Sequence, residues 1–257
     1  LAGMFLAHYG ILGIITAMAI VIVRHIGRAF NEEEALAENL RQVNASLVRF
    51  VPNEFLTFLE KSSITDICLG DNIQKNMCVM FVHLGMELPL TEAAARLNML
   101  IMFNDILLRL NPVIQRYRGF IDKYLAEGLM VLFPDDSSSA VRCALEIMQV
   151  IGGYNCEREA QHAPRINLAA GIHRGELMLG TIGEAERMDS TVISDVVNTA
   201  SRLRQFALTK GAQLVISADV AETMDASSPE RYCLSSLGEV TLRGRDAPIT
   251  VYEVQTT

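Results

Sequence analysis

Gly171–Ile172–His173–Arg174–Gly175–Glu176–Leu177–Met178–Leu179–Gly180–Thr181–Ile182–Gly183, followed by Glu184–Ala185–Glu186–Arg187–Met188–Asp189–Ser190–Thr191–Val192–Ile193–Ser194–Asp195–Val196–Val197–Asn198–Thr199–Ala200–Ser201–Arg202–Leu203, is the stretch that decides the fold. Residues 168–172 and 177–182 read as paired strands. Gly175 falls near their turn, where a positive φ costs glycine little. A polar link follows, and then a helix opens at Ser194 or Asp195, either of which can cap the free N–H groups of its first turn. On that helix Asn198 and Arg202 stand four residues apart and project from one face. An amide and a guanidinium aimed at one point suit a phosphate or a carboxylate, because both donate and Arg does so bidentately. The plain alternative is a solvated helix face.

The order of residues is more specific than the pair. Thr191-Val-Ile-x-Asp195-x-Val-Asn198-x-Ala-x-Arg202-Leu, behind Gly171-Ile-His-x-Gly175, resembles the class III nucleotidyl cyclases, the adenylate and guanylate cyclases. The similarity covers residues 72–254. It implies a head-to-tail dimer with active sites at the interface. It also implies conversion of ATP or GTP into the 3′,5′-cyclic monophosphate and pyrophosphate, with Mg²⁺ or Mn²⁺ as the expected cofactor. In the family one Asp ends the first strand in a Phe-x-Asp-Ile-x-Gly-Phe-type motif. Here that stretch reads Phe81–Val82–His83–Leu84–Gly85–Met86–Glu87, so His83 stands at the Asp position. A second Asp belongs to a Lys-x-x-Gly-Asp motif. Here Lys123–Tyr124–Leu125–Ala126–Glu127 puts Glu127 there and Ala126 in place of the Gly. Imidazole offers one lone pair and no negative charge, so His83 cannot bridge two Mg²⁺ ions, although a softer ion such as Mn²⁺ or Zn²⁺ accepts it more readily. The plain reading of His83 is packing at a strand end.

The other half of the family's site is better matched. The resemblance assigns Lys123 to adenine, Thr191 to its partner position, Asn198 and Arg202 to ribose and the transition state, and Arg243 to the terminal phosphates, where the family has a lysine. Singly, Lys123 and Arg243 read as solvated surface cations. Ser190 and Ser194 depart from the usual Tyr and Gly. In heterodimeric cyclases one domain brings the two Asp residues and the other brings the base and transition-state residues, and this chain resembles the second kind. The expected function is an adenylate cyclase-type domain acting on ATP with a degraded two-metal site. The alternative is an impaired pseudocyclase, working as the base-recognising half of a heterodimer with a metal-supplying partner or as a nucleotide-binding or dimerisation module.

Outward from the motif, residues 76–83 read as a central strand, 91–116 as a helix, 119–133 as a hairpin, and 138–156 as a second helix. Residues 213–217 form a strand, 218–224 a short helix, and 239–242 and 249–254 two closing strands. Strand, helix, hairpin, helix and strand fit a ferredoxin-like α+β core. Toward the N-terminus, residues 1–23 contain no Lys, Arg, Asp or Glu, and residues 4–23 have the length of a membrane-crossing helix. Arg24, His25 and Arg28 follow, and a positive flank places what comes next in the cytoplasm. Leu36, Leu40, Val43, Leu47 and Phe50 then repeat at spacings of four and three, a short heptad seam. Residues 62–75 read as a linker. The chain divides on this reading into a transmembrane helix at 1–23, a helical signalling linker at 24–71 and a cyclase domain at 72–257, with the protein at the inner or plasma membrane.

The balance of the 257 residues excludes other classes. A net charge of −8 with no basic block makes nucleic acid a poor partner. Five dispersed cysteines and five dispersed histidines show neither a disulfide framework nor ligand spacing. The chain opens on Leu1 rather than Met, as expected for a segment of a longer polypeptide.

Overall fold

The computed structural model describes residues 2–47, 53–86, 93–134, 136–184, 186–224, 232–242 and 247–256. Two units divide the chain near residue 51. The first contains one unbroken helix, α1 (Ala2–Leu47), 46 residues long. Among the described residues no helix is long and apolar enough to cross a membrane, so the span expected at residues 4–23 is not seen there. Most side chains before Met18 lie outside the description. From Met18 to Val43 the described large apolar side chains of α1 are exposed, Leu36, Leu40 and Val43 of the heptad seam among them.

The second unit begins with α2 (Asn53–Phe58) and a 3₁₀ turn at Ile64–Asp66, closed by a reciprocal capping box between Ser63 and Asp66. Then follow β1 (Asn72–Gly85), α3 (Ala93–Arg116), β2 (Phe120–Leu125), β3 (Gly128–Phe133), α4 (Ser137–Ala160), β4 (Asn167–Glu184), β5 (Arg187–Ile193), α5 (Asp195–Lys210), β6 (Leu214–Ser217), α6 (Ala218–Glu222), β7 (Tyr232–Val240) and β8 (Ile249–Thr256). The sheet runs β2-β3-β1-β4-β6-β8-β7, with β5 paired to the far end of β4. The first four strands, all antiparallel, have the order expected of a ferredoxin-like unit.

Alternation along the strands builds two layers. Cys78, Met80, Val82 and Leu84 of β1 join Leu129, Val131 and Phe133 of β3 under α3 and α4, where Ile106, Leu110, Ile114, Ala144 and Ile147 complete the core. The opposite face is covered by α5, whose Leu203 and Ala207 pack with Ala169, Val215 and Val251. The contact of α5 with β4 requires glycine. A Cβ on Gly171 would lie 2.2 Å from the Arg204 backbone N and 2.7 Å from the Ala200 carbonyl oxygen.

The opening motif folds differently from its expected hairpin. Residues 168–172 and 177–182 are not two strands joined at Gly175 but parts of one 18-residue strand, β4. Gly175 pairs with Met77 in mid-strand. Its lack of a side chain serves packing, since a Cβ there would meet Val196 Cγ2 at 2.6 Å. The turn comes ten residues later, and the supposed polar link is β5, which returns along β4 with Thr191 opposite Gly180. The linker reading of residues 62–75 is likewise corrected at its end, because β1 already begins at Asn72.

Candidate functional site

The helix that carries Asn198 and Arg202 is fixed at both ends. Ser194 is its N-cap: the hydroxyl oxygen accepts from Val196 N at 3.1 Å and its O–H donates to the Glu176 carbonyl at 2.8 Å, tying α5 to β4. Gly211, at φ 72°, ends it in the left-handed conformation. Asn198 is exposed and Arg202 half-buried, one turn further along the same face. Arg202 Nη1 is buried with no hydrogen-bond partner among the described residues. A guanidinium N–H held away from water without an acceptor is costly, so a bound anionic oxygen would stabilise it.

Lys123 lies on β2, an edge strand, yet its Nζ donates to the Ser190 carbonyl of β5 at 3.1 Å. Sixty-seven residues separate the two, and in the sheet β3, β1 and β4 lie between their strands. The curl of the sheet therefore brings Lys123 beside the strand that carries Thr191. Sequence reading passed over Asp122. It sits where the β2–β3 register slips between Ile121 and Lys123, and its Oδ2 is buried with no partner among the described residues. Burial pushes its carboxyl up to about 6; Lys123 pulls it down and Asp189 pushes it further up. The available signal was a carboxylate inside an otherwise apolar strand segment, Phe120–Ile121–Asp122, where an unpaired charge is expensive.

His83 and Glu127 are brought together by the β1–β3 pairing, in which His83 faces Gly128. His83 Nδ1 stands 3.7 Å from Glu127 Oε2. The imidazole leans along its strand, with Nε2 only 2.3 Å from where a Cβ on Gly85 would be. The ring is largely buried, and Nδ1 has no hydrogen-bond partner among the described residues. Burial pulls its pKa below the usual value. Glu127 opposes the shift and Arg204 on α5 adds to it. One exposed carboxylate and one imidazole do not fit a pair of hard divalent ions, which need several oxygen ligands. Among the described residues no three metal-ligating side chains cluster. Arg243 and Glu87 lie outside the described residues.

The model of the "Adenylate and Guanylate cyclase catalytic domain" family matches residues 71–255. Over 222 residues the chain is 33% identical to an "Adenylate cyclase" of Anabaena cylindrica, which covers 84% of this chain and 44% of that protein. It is 25% identical to the "Adenylate cyclase, terminal-differentiation specific" of Dictyostelium discoideum, across 84% of this chain and 10% of that one. The chain thus spans less than half the length of either relative. Among solved structures, the fold is similar to a bacterial light-regulated adenylyl cyclase (TM-score 0.70, 20% identity, 87% of this chain and 64% of that one). It is also similar to the adenylyl cyclase CyaB of P. aeruginosa (TM-score 0.60, 24% identity, 72% of this chain and 96% of that one).

Proposed function

The chain belongs to the adenylate and guanylate cyclase catalytic-domain family, and from that premise we propose that it is an adenylate-type domain which supplies the base and transition-state half of a cyclase site and lacks a working two-metal half. The observation that carries this reading is the contrast within one sheet. Lys123 is held against β5 by the Ser190 carbonyl, whereas His83 stands where a carboxylate is needed beside Glu127.

In the proposed reaction the ribose 3′-hydroxyl of ATP attacks the α-phosphorus. The new O–P bond closes the ring as the bond to the α,β-bridging oxygen breaks, the hydroxyl proton passes to solvent water and pyrophosphate leaves. Lys123 and Thr191 face the adenine. Asn198 orients the ribose, and Arg202, with its unpartnered Nη1, donates to the phosphoryl oxygens as charge builds on them. Because His83 and Glu127 do not fit the metal pair, this chain's own residues provide no activation of the 3′-hydroxyl. The site is completed across a dimer, either with a second domain that brings the carboxylates or, in a second reading favoured by the same His83 geometry, in a homodimer that binds nucleotide without turning it over. We further propose that residues 4–23 anchor the chain in the membrane, supported by the absence of charge before Arg24 and the basic residues that follow.

Cyclic AMP formation by the full chain tests the catalytic proposal. The wild type is expected to be close to silent in Mg²⁺ and in Mn²⁺. A His83→Asp, Glu127→Asp variant is expected to gain turnover. Adding Arg202→Ala to that variant silences it, and mixing the silenced chain with wild type restores activity, because each then supplies the half the other lacks. Robust Mg²⁺ turnover by the wild type would overturn the reading.

A further inference from the structure

Lys123 and Ser190 belong to strands that share no ladder among the described residues, β2 at one end of the sheet and β5 hanging on β4. What presents the Ser190 carbonyl to Lys123 is its partner in the register, Thr181. Both backbone groups of Thr181 are used on the side away from β5. Its N–H donates to the Asp71 carbonyl at 2.9 Å, and its carbonyl accepts from Gly70 N at 3.3 Å. Opposite residues of an antiparallel pair either exchange both bonds or turn both backbones away from each other. Ser190 therefore turns its carbonyl outward from β4, where Lys123 Nζ meets it at 3.1 Å. The Thr181 side chain is buried and makes the same connection, its O–H donating to the Cys68 carbonyl at 2.7 Å. Beside it, a Cβ on Gly180, the residue opposite Thr191, would meet the Asp71 carbonyl at 2.9 Å.

The segment that holds Thr181 also holds β2. Phe58, the last residue of α2, packs on Phe120 at the start of β2, three residues before Lys123, with ring centroids 5.6 Å apart. Lys75 of β1 lies over the Phe58 ring, its Nζ 4.5 Å from the centroid. Three residues after Phe58, Lys61 Nζ pairs with Asp71 Oδ2 at 3.0 Å, and the same oxygen accepts from Cys68 N at 2.8 Å. An isolated ion pair near the surface is worth little. This one draws the end of α2 onto the turn that Thr181 grips. Contacts thus run in a ring, from β2 to β5, to β4, to residues 68–71, to α2 and back to β2.

We propose that residues 55–71 form a strap that sets the width of the base cleft between β2 and β5, and that Thr181 is the positioning residue through which the strap acts on Lys123. The proposal rests on the base-recognition reading above and deepens it. Lysine is a point charge on a flexible stem, so its value toward a purine depends on where its acceptor holds the ammonium. A misplacement of about 1 Å in a positioning contact can cost on the order of a hundredfold. Thr181 is itself buried against the strap and acts on the base only through Ser190 and Lys123.

Two measurements on the full chain test it. The first is the rate at which an amine-acylating reagent labels Lys123, read by mass spectrometry against Lys210 of α5 as internal reference. Thr181→Val, which removes the hydroxyl, should raise Lys123 labelling at least threefold, and Thr181→Ser should stay near wild type. Lys61→Met should act in the same direction, and Lys61→Arg should not. Unfolding curves establish that each variant is folded. Wild-type labelling in either Thr181→Val or Lys61→Met overturns the proposal, whether or not the chain binds nucleotide. The second measurement is calorimetry with ATP, adenosine and inorganic pyrophosphate as separate probes. Thr181→Val should weaken ATP and adenosine at least fivefold and leave pyrophosphate unchanged. In a Lys123→Met background the same substitution should have no further effect on ATP affinity. An equal loss for pyrophosphate, or a loss that adds in full to that of Lys123→Met, means that Thr181 serves only the fold and overturns the proposal. If wild type binds no adenosine, the adenine reading fails, and the labelling alone then upholds or overturns the strap.

Discussion

Asp122 shows how one side chain ties stability to the site. It is an acid whose folded pKa, about 6, lies above its ordinary value of 3.8. The folded state therefore binds the proton more tightly than the unfolded chain. The resulting stabilisation is full below the unfolded pKa and is lost as pH rises through about 6, where the buried group must ionise. A shift of this size corresponds to about 3 kcal/mol at most, and solvent screening reduces it to about 1–2 kcal/mol. Asp122→Asn is expected to flatten the fall in urea-derived stability between pH 4 and 7 and to stabilise the protein by that amount at pH 7.5. An unchanged pH profile would show that the carboxyl is not buried as described. The neighbouring Lys123 was legible in sequence because its motif position is distinctive, whereas nothing in the motif marked Asp122. Its importance comes from the register slip that turns its Oδ2 inward.

At the scale of elements, α5 and β4 are fitted to each other through side chains that are missing. Gly171 admits the helix backbone, and Gly175 admits Val196. The Gly175→Ala substitution places a methyl 2.6 Å from Val196 Cγ2 and is expected to cost about 1–3 kcal/mol by overpacking. Adding Val196→Ala removes the clash, so the double variant should lose less than the two single losses summed, a coupling readable in a double-mutant cycle. Strict additivity would mean that the contact is not made. Gly175 was misread as a turn residue because glycine serves both purposes, and local sequence does not distinguish a positive φ from a close approach. The helix start was open between Ser194 and Asp195. The structure chose Ser194 because its hydroxyl can both cap Val196 N and reach the Glu176 carbonyl.

Across the whole molecule, the N-terminal helix and the cyclase domain fall in separate units. If residues 4–23 lie in a bilayer, the full chain should sediment with membranes and resist alkaline extraction. Placing two arginines in that stretch, at Ile14 and Ile20, should release it, because each charge at mid-membrane costs about 3 kcal/mol. Extraction of the unaltered chain by alkali would refute the anchor. The family and the ferredoxin-like core were legible in sequence, because the apolar runs of β1 and β3 and the spacing of Thr191, Asn198 and Arg202 are local patterns that survive without coordinates. The substitutions at His83 and Glu127 were equally visible there. Only the tertiary structure decided that Lys123 reaches β5, that Asp122 is buried, and that the backbone of α5 rests on Gly171. Each of these depends on how the sheet curls and where α5 crosses it, and contacts between residues far apart in sequence are set by packing rather than by the pattern of any one segment.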